Sequence, residues 1–428
     1  MEKIIINGGN PLYGTIEVSG MKNSSLPILF GTILVSGDCI IENLPPIDDV
    51  FAALSILKAM GARVRMLDAT TVQINTDDIV CGSAPYEQAI HMRGSYYIAG
   101  AELSRFGRTR VPLPGGCDFG QRPIDQHIKG FEKLGASVQV EEGYINAESE
   151  GVLQGASVYM DVVSVGATIN VILAAVLAEG VTTIDNAARE PHIVDLANFL
   201  NACGADIAGA GTDVIRIKGV GSLKGVTYGV IPDMIEAGTY MIAAAATGGK
   251  LTISNVIPKH LESVTAKLTE MGAVVEENDT CVVVSAPTEL KAVNVKTQPY
   301  PGFPTDMNPQ MCVLLCLAEG VSMLREGVWD NRFRYVKELA RMGADITVEP
   351  KVATVRGKTP LKGAKVNAVD LRAGAAVVIA GLAAEGTTEI GDIYHIERGY
   401  ERIVEKLRKV GADIEKRVVP DDMGAAVI

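Results

Sequence analysis

The stretch SVGATINVILAAVLAEG, residues Ser164–Gly180, has the length of a helix and carries a single charged side chain, Glu179. A second stretch, LRAGAAVVIAGLAAEG at Leu371–Gly386, is nearly as apolar. A helix that is apolar on every side must be buried on every side. Both stretches are too short to cross a bilayer, so they predict helices that the rest of the protein encloses.

These two stretches belong to a repeat of about 70 residues that occurs six times. In each repeat a Gly-Ala pair ends a predicted amphipathic helix, and another glycine ends the apolar helix in phase with it. Such glycines suit the position after a helix C-terminus, where a left-handed backbone carries no Cβ penalty. The first set is Gly61, Gly135, Gly204, Gly272, Gly343 and Gly411, and the second is Gly37, Gly107, Gly180, Gly249, Gly320 and Gly386.

The order of elements in each repeat predicts the fold. It is strand, apolar helix, strand, amphipathic helix, strand, strand, which favours an α/β inside-out barrel with buried helices inside and sheets outside. Six buried helices are too many for one core, so we expect two domains of three repeats each. The first residues resemble the closing strand of the third repeat, and the last repeat lacks such a strand. The predicted domains are therefore 21–229 and 1–20 plus 230–428, with a binding cleft between them.

Composition excludes several classes of function. The chain of 428 residues has a net charge of −12, which disfavours a nucleic-acid or anionic-membrane partner. It shows no signal-peptide pattern and no membrane-spanning run, so we expect a soluble, cytoplasmic protein. Seven cysteines without a CxxC pair and five histidines without metal-ligand spacing predict neither a disulfide framework nor a metal site. Neither an ATP loop nor a dinucleotide fingerprint is present, so no cofactor is expected.

Polar residues recur at the predicted helix starts. Helix N-termini favour anions, and guanidinium groups suit carboxylate and phosphate, so the pattern predicts a site for an anionic ligand. An arginine at a helix N-terminus opposes the helix dipole, which makes four of them in equivalent positions informative. The buried helices start near Lys22, Arg93, Ser164, Asp233, Asp306 and Arg372, and the amphipathic helices start near Arg122, Arg189, Arg332 and Arg398.

The segment LPGGCDFGQRP, residues 113–123, places Cys117 among glycines. The nearby Arg122 would lower the pKa of this thiol, and Asp118 would oppose that effect. Two interpretations stay open from the residues alone: a reactive thiol on a mobile lid, or a strained turn with an incidental cysteine.

Several motifs together resemble the UDP-N-acetylglucosamine 1-carboxyvinyltransferases of the EPSP synthase superfamily. The resemblance extends through nearly the whole chain and implies transfer of enolpyruvate from phosphoenolpyruvate to the 3-hydroxyl of UDP-N-acetylglucosamine, with release of phosphate. It implies no metal and no cofactor, and two small-molecule substrates as the partners. We expect the protein to be a monomer. The motifs are GMKNSSLPIL, LPGGCDFGQRPID, SVGAT, NAAREPHIVDLANFL, PDMIEAGT, PGFPTDM, DNRF, VDLRAGAA and YHIERGYERI.

The same resemblance implies a role for each matching residue. Cys117 would donate a proton to the methylene carbon of phosphoenolpyruvate, and Asp306 would accept the proton of the sugar hydroxyl or hold that hydroxyl in place. Lys22 and Asn23 would meet phosphoenolpyruvate, with Lys22, Arg122 and Arg398 around its phosphate and Arg332 and Arg372 around its carboxylate. The residues implied for the sugar nucleotide are Arg93, Arg122, Pro123, Ile124, Asp125, Gln126, Ser164, Val165, Asp306 and Val328.

Two alternatives accompany this interpretation. One is 3-phosphoshikimate 1-carboxyvinyltransferase, which has the same fold and cosubstrate; Cys117 and the DNRF and YHIERGYER motifs favour the sugar-nucleotide enzyme. The other is a catalytically silent sugar-nucleotide-binding regulator, which the intact charged residues disfavour. The chain departs from the usual family pattern at positions that include Ser24, Asn308, Pro309 and Gly374, and Val162 stands where lysine is common. Pro309 and Gly374 are expected to loosen the substrate-contacting loops.

Overall fold

The computed structural model describes residues 2–90, 92–113 and 124–418, except for the side chain of Arg93. These residues form fourteen α-helices and five short 3-10 helices. The α-helices are α1 Lys22–Gly31, α2 Asp48–Ala59, α3 Tyr86–Ala89, α4 Tyr97–Phe106, α5 Asp125–Lys133, α6 Val165–Ala175, α7 Pro191–Ala202, α8 Met234–Ala246, α9 Glu262–Glu270, α10 Asn308–Leu317, α11 Val336–Arg341, α12 Leu371–Ala383, α13 Tyr394–Glu397 and α14 Ile403–Lys409. The 3-10 helices are Thr32–Leu34, Arg93–Tyr96, Pro258–Leu261, Thr305–Met307 and Arg332–Tyr335.

The same part of the chain contains twenty-five β-strands. They are β1 Glu2–Asn7, β2 Tyr13–Glu17, β3 Val35–Ser36, β4 Asp38–Glu42, β5 Arg63–Met66, β6 Val72–Asn75, β7 Arg108–Pro112, β8 Ala136–Glu141, β9 Tyr144–Ser149, β10 Ser157–Tyr159, β11 Val181–Asp185, β12 Asp206–Ala208, β13 Val214–Lys218, β14 Leu223–Lys224, β15 Thr227–Gly229, β16 Lys250–Ser254, β17 Val274–Glu277, β18 Cys281–Ser285, β19 Val295–Lys296, β20 Val321–Arg325, β21 Asp345–Glu349, β22 Val352–Arg356, β23 Lys365–Asn367, β24 Thr387–Gly391 and β25 Asp413–Val418.

The chain divides into two compact units. The central unit is Ser19–Pro232, and the terminal unit is Met1–Val18 together with Asp233–Ile428. The sheets of the central unit have the orders β15-β4-β6-β5, β10-β11-β13-β12, β7-β9-β8 and β14-β3. Those of the terminal unit have the orders β23-β24-β1-β25, β17-β18-β16-β2 and β19-β20-β22-β21.

Three apolar helices form the interior of each unit. In the central unit these are α1, α4 and α6, and in the terminal unit they are α8, α10 and α12. In α6 all ten residues from Gly166 to Ala175 are buried, as the absence of charge in this helix predicts. Sheets and amphipathic helices pack around these interiors, so the predicted α/β architecture with buried helices inside is confirmed.

The first residues of the chain complete the sheet formed by the last repeat. β1 pairs antiparallel with both β24 and β25, so it is an inner strand of that sheet. β2 pairs in parallel with β16 in another sheet of the same unit. Both strands therefore belong to the terminal unit although they precede the central unit in sequence.

The repeat glycines adopt the left-handed backbone that the sequence predicts, with one exception. All six glycines of the first set have φ between 94° and 110°. In the second set the prediction for Gly249 is wrong, because the neighbouring Gly248 takes the positive φ of 71° instead. The segment has two consecutive glycines, and either can relieve the steric conflict of a left-handed residue.

The sheet β7-β9-β8 differs from the four-stranded sheets at one edge. In each four-stranded sheet, the strand that follows a buried helix has a parallel neighbour, whereas β7 has none among the described residues. The side chain of Glu102, which is fully buried in α4, lies beside β7. Its carboxylate accepts hydrogen bonds from the backbone N–H of Gly82 at 2.8 Å and from the hydroxyl of Thr109 at 2.7 Å. This buried carboxylate thus joins the Gly82 segment to β7 and has its own hydrogen bonds satisfied there.

This arrangement predicts a pH dependence of stability. Burial raises the pKa of Glu102, although the hydrogen bonds from Thr109, Gly82 and Arg110 oppose the shift. The folded state therefore binds a proton at a higher pH than the unfolded chain, in which the pKa is about 4.3. The free energy of unfolding of the wild type, minus that of Glu102→Gln, should increase as the pH falls from about 7 to about 4. Urea unfolding at several pH values measures this difference, and a constant or decreasing difference would contradict the assignment.

Candidate active site

The residues predicted at buried-helix starts lie there in the structure. Lys22 is the first residue of α1, Ser164 and Asp233 cap α6 and α8, and Arg372 is the second residue of α12. Asp306 lies in the 3-10 helix Thr305–Met307 that leads directly into α10. Arg93 begins the 3-10 helix that precedes α4, and its side chain is not described.

Three of the predicted residues lie in the segment 114–123, which is outside the described residues. They are Cys117, Arg122 and Pro123. The chain is described again from Ile124, which is half-buried and precedes α5.

A carboxylate with two arginines is the centre of the candidate site in the terminal unit. Arg372 donates from Nε to Oδ2 of Asp306 at 3.1 Å, and its Nη2 lies 3.1 Å from the same oxygen. Nη2 of Arg332 lies 3.9 Å from Oδ1 of Asp306, and Nε of Arg332 donates to the carbonyl of Thr305 at 3.3 Å. Both arginine side chains are almost fully buried, whereas the Asp306 side chain is 32% exposed. The cluster therefore presents its carboxylate toward solvent, with two fixed cations behind it.

The surroundings of Arg372 keep its guanidinium group protonated. Burial alone lowers the pKa of this guanidinium, but the negative charge of Asp306 and its neighbours more than offsets that effect, so the pKa is raised. The carboxylate of Asp370 caps α12 by accepting from the backbone N–H groups of Arg372 and Ala373 at 2.8 and 2.9 Å. The guanidinium carbon lies 5.5 Å from the centre of the Tyr400 ring, within cation–π range. Arg372 is thus charged and fixed in place.

Behind Arg372 lies a buried polar network that the sequence does not indicate. The hydroxyls of Tyr400 and Thr239 are 2.9 Å apart, and Nε2 of Gln310 donates to both at 3.2 Å. These residues come from three separate parts of the terminal unit, so no local motif signals their association. Polar residues inside an otherwise apolar helix, as in α8 and α10, are the available clue.

The central unit also holds a largely buried cation, Lys22. Nζ of Lys22 lies 2.7 Å from Oδ2 of Asp49, and both side chains are largely buried. Asn23, the next residue along α1, is half-buried. Asp49 is not among the predicted site residues. It lies in the first turn of α2, where the helix dipole stabilises a carboxylate.

Five predicted sugar-nucleotide residues lie at the starts of α5 and α6 in the central unit: Ile124, Asp125, Gln126, Ser164 and Val165. Gln126 is buried in α5 and fixes the loop before α6: its Oε1 accepts from the backbone N–H of Asp161 at 2.9 Å, and its Nε2 donates to the carboxylate of Asp161 at 3.1 Å. Ser164 caps α6 by accepting from the N–H of Ala167 at 3.3 Å. Asp125 is exposed and Val165 is half-buried. The structure brings Gln126 to the loop that carries Val162, which is 59% exposed.

Two predicted arginines, Arg398 and Arg189, lie outside the cluster around Asp306. Arg398 does not open an amphipathic helix as predicted; it follows the last residue of α13, and the amphipathic helix α14 begins only at Ile403. A cation at a helix C-terminus is favoured by the dipole, so this position is electrostatically better than the predicted one. Arg189 is exposed and lies 3.7 Å from Asp213 at the surface.

Two departures from the family pattern have a structural explanation. Ser24 donates its hydroxyl to the buried carboxylate of Asp195, which also accepts from the hydroxyl of Tyr228 at 2.5 Å. Gly374 packs so closely that an added Cβ would lie 2.4 Å from Cγ1 of Ile396. The glycine therefore permits a tight contact at the start of α12.

Within the described residues, no group of three or more His, Cys, Asp or Glu side chains is arranged to hold a metal ion. Among those residues, no helix is long and apolar enough to span a membrane.

Comparison with known proteins identifies relatives over almost the whole chain. The model of the EPSP synthase family (3-phosphoshikimate 1-carboxyvinyltransferase) matches residues 6–407. A UDP-N-acetylglucosamine 1-carboxyvinyltransferase from Clostridium botulinum is 55% identical, over 97% of this chain and 99% of its own. UDP-N-acetylglucosamine 1-carboxyvinyltransferase 2 from Clostridium acetobutylicum is 53% identical, over 98% of this chain and 100% of its own.

A solved structure agrees with the observed architecture. The enolpyruvyl transferase NikO from Streptomyces tendae superposes with a TM-score of 0.89 at 28% identity, covering 98% of this chain and 99% of that chain.

Proposed function

This chain belongs to the EPSP synthase family, and we propose that it transfers the enolpyruvyl group of phosphoenolpyruvate to the 3-hydroxyl of UDP-N-acetylglucosamine, releasing phosphate. The observation that carries this proposal is the identity of 53–55% to curated enzymes of that name over at least 97% of the chain. The reaction is the first committed step of peptidoglycan synthesis.

The cluster around Asp306 supports the chemistry. Phosphoenolpyruvate bears a carboxylate and a phosphate, and two buried guanidinium groups, Arg332 and Arg372, match a planar anion. Because they are already fixed in place, they bind and polarise the anion with little reorganisation. Lys22, Arg122 and Arg398 are proposed to contact the phosphate, and Asn23 to contact phosphoenolpyruvate.

In the proposed mechanism, Cys117 delivers its proton to the methylene carbon of phosphoenolpyruvate. The adjacent carbon becomes electrophilic, and the 3-hydroxyl of the sugar attacks it while Asp306 takes the hydroxyl proton. The partly exposed carboxylate of Asp306 suits that task, since it can be reached by substrate while the arginines hold its orientation. Loss of phosphate and of one proton from the new methyl group then gives the enolpyruvyl ether.

The residues proposed to bind the sugar nucleotide are those that the resemblance implies. They are Arg93, Arg122, Pro123, Ile124, Asp125, Gln126, Ser164, Val165, Asp306 and Val328.

A phosphate-release assay tests the proposed function directly. Purified protein with phosphoenolpyruvate should release phosphate when UDP-N-acetylglucosamine is present, and should not do so with 3-phosphoshikimate. Mass spectrometry should find the enolpyruvyl ether of the sugar nucleotide. Turnover of 3-phosphoshikimate instead would overturn the proposal, and binding of the sugar nucleotide without any turnover would favour a regulatory role.

Arg372→Lys is expected to raise the KM for phosphoenolpyruvate about 10- to 100-fold, because hydrogen bonds to charged groups contribute about 1.5–3 kcal/mol and lysine lacks the planar pair of donors. The dissociation constant of UDP-N-acetylglucosamine, measured by calorimetry, should change much less. The matched control is Arg356→Lys, at an exposed arginine that pairs with Asp345 at 3.3 Å. If calorimetry showed the larger loss for the sugar nucleotide, Arg372 would belong to the other substrate.

The monomeric state and the cytoplasmic location remain predictions from the sequence. Sedimentation velocity of the purified protein checks the first of them.

A further inference from the structure

Glu326 is a carboxylate that none of the sequence patterns singles out. It follows β20 directly and is only 1% exposed. Its Oε2 accepts hydrogen bonds from the hydroxyl of Thr305 at 3.0 Å and from Nδ2 of Asn308 at 2.9 Å. Thr305 and Asn308 lie on either side of Asp306, so one oxygen of Glu326 holds the turn that carries Asp306.

The other oxygen of Glu326 holds a different segment. Oε1 accepts from the backbone N–H groups of Val328 at 2.8 Å and Trp329 at 3.1 Å. Each oxygen therefore serves one segment, and the side chain joins the Asp306 turn to the Val328 segment. A hydrogen-bonded, buried carboxylate of this kind fixes the groups around it, because releasing any donor leaves a buried polar group unsatisfied.

We propose that Glu326 is a positioning residue that sets the place of Asp306 relative to the Val328 segment and thereby recognition of the acceptor sugar. The inference rests on the proposed function, in which Asp306 takes the proton of the sugar hydroxyl and Val328 contacts the sugar nucleotide. Glu326 acts only through these neighbours and does not touch substrate.

The chemistry of the four donors explains why the residue is a glutamate. An ionised carboxylate is an acceptor at both oxygens, whereas the side chain of glutamine accepts at one end and donates at the other. If the new amide of Glu326→Gln kept its oxygen toward Val328 and Trp329, its nitrogen would face Nδ2 of Asn308. Two donors would then oppose each other, and the Asp306 turn would lose its anchor.

Steady-state kinetics of Glu326→Gln test the proposal. We expect kcat/KM for UDP-N-acetylglucosamine to fall about 10- to 100-fold, the range that corresponds to losing hydrogen bonds to a charged group, while the KM for phosphoenolpyruvate changes less than about threefold. The matched control is Glu102→Gln, which alters an equally buried carboxylate in the central unit. Equal effects of the two variants on the sugar nucleotide would overturn the inference, and so would an equal loss for both substrates.

A reciprocal exchange of the carboxylate and the amide between Glu326 and Asn308 should restore part of the activity. A variant that was only less stable would not recover in this way. Nδ2 of Asn308 donates to Glu326, while Oδ1 of Asn308 accepts from the hydroxyl of Tyr335 at 2.7 Å. In the double variant Asn308→Asp with Glu326→Gln, the new carboxylate keeps the bond from Tyr335 and accepts from the new amide nitrogen. Activity should recover at least about threefold relative to Glu326→Gln, whereas Asn308→Asp alone places two carboxylates together and should be the weakest of the three. Absence of recovery in the double variant would count against the proposed contact.

Trp329 supplies a readout that does not depend on turnover, because it is the single tryptophan of the chain. In Glu326→Gln, the conflict between the new amide nitrogen and Nδ2 of Asn308 should displace the side chain, weaken its bond to the backbone N–H of Trp329 and move the emission to longer wavelength. The reciprocal exchange removes that conflict and should reverse the shift. If the wild type failed to use UDP-N-acetylglucosamine, the proposed function would be wrong, but the emission would still test the positioning.

A milder variant keeps the inference testable even if Glu326→Gln folds poorly. Thr305→Val removes one hydrogen bond to Glu326 at nearly constant volume, and it should lower kcat/KM for the sugar nucleotide about three- to tenfold, as the loss of a single hydrogen bond predicts. An unchanged value, together with unchanged emission of Glu326→Gln, would overturn the inference.

Discussion

Replacing Asp306 with asparagine is expected to lower kcat about 10²- to 10⁴-fold, the usual contribution of a general base. Asparagine keeps the size of the side chain and one acceptor for Arg372, but its amide cannot take the proton of the sugar hydroxyl. The dissociation constants of both substrates should change less than kcat, because the arginine cluster and the helix starts remain. Single-turnover kinetics and calorimetry measure the two quantities separately.

The control for this variant is Asp345→Asn, which removes an exposed carboxylate of the same unit that pairs with Arg356. Asp306→Asn should still unfold cooperatively in urea, which separates a chemical defect from misfolding. If kcat stayed within about threefold of the wild type, Asp306 would orient the hydroxyl without accepting its proton, since a general base contributes far more than that.

Cys117→Ser is expected to lose activity by about 10²-fold or more. The proposed task of Cys117 is to deliver a proton, and a serine hydroxyl is a far weaker acid than a thiol of pKa about 8.5. Cys117→Asp should keep appreciable activity, because a carboxyl group can also donate a proton. A carboxyl donor near arginine is protonated only at lower pH, so the alkaline limb of the pH–rate profile should move to lower pH in this variant.

The matched control is Cys281→Ser, at a half-buried cysteine on β18 of the terminal unit. It should retain wild-type kcat. Small epoxides that mimic phosphoenolpyruvate should alkylate Cys117, fastest with sugar nucleotide bound, and should spare Cys117→Asp. A serine variant as active as the wild type, or an adduct found on another cysteine, would leave Cys117 as a turn residue only.

The fold is predictable from the sequence because its evidence is periodic. Helices without charge in their interior turns, such as α6, have one physical solution in water, which is burial on all sides. Because the same pattern occurs six times, an error in assigning one helix or strand does not change the predicted fold. The one misplaced glycine, Gly249, stands beside Gly248, and the choice between the two depends on the local turn.

The candidate site is only partly predictable. Positions such as Lys22 and Arg372 can be found because the helix starts recur in register along the chain. Their partners cannot, since Asp49, Tyr400 and Glu326 are distant in sequence from the groups they hold and belong to no shared motif. The sequence also does not show that α13 ends immediately before Arg398, which explains why the prediction of a helix start there is wrong.

The amino-acid sequence by itself determined which segments are buried, how many repeats there are and which charged residues lie at the starts of the buried helices, because hydrophobic periodicity and turn glycines act locally. Only the tertiary structure decided which carboxylate pairs with which cation or hydrogen-bond donor. Arg372 bonds Asp306 across 66 residues of sequence, and Glu326 joins the turn at Thr305 to its own following loop. Arg372 and Glu326 are almost fully buried, and this burial makes their pairing specific, since an exposed ion pair contributes little and any of the chain's many charges could otherwise compete for it.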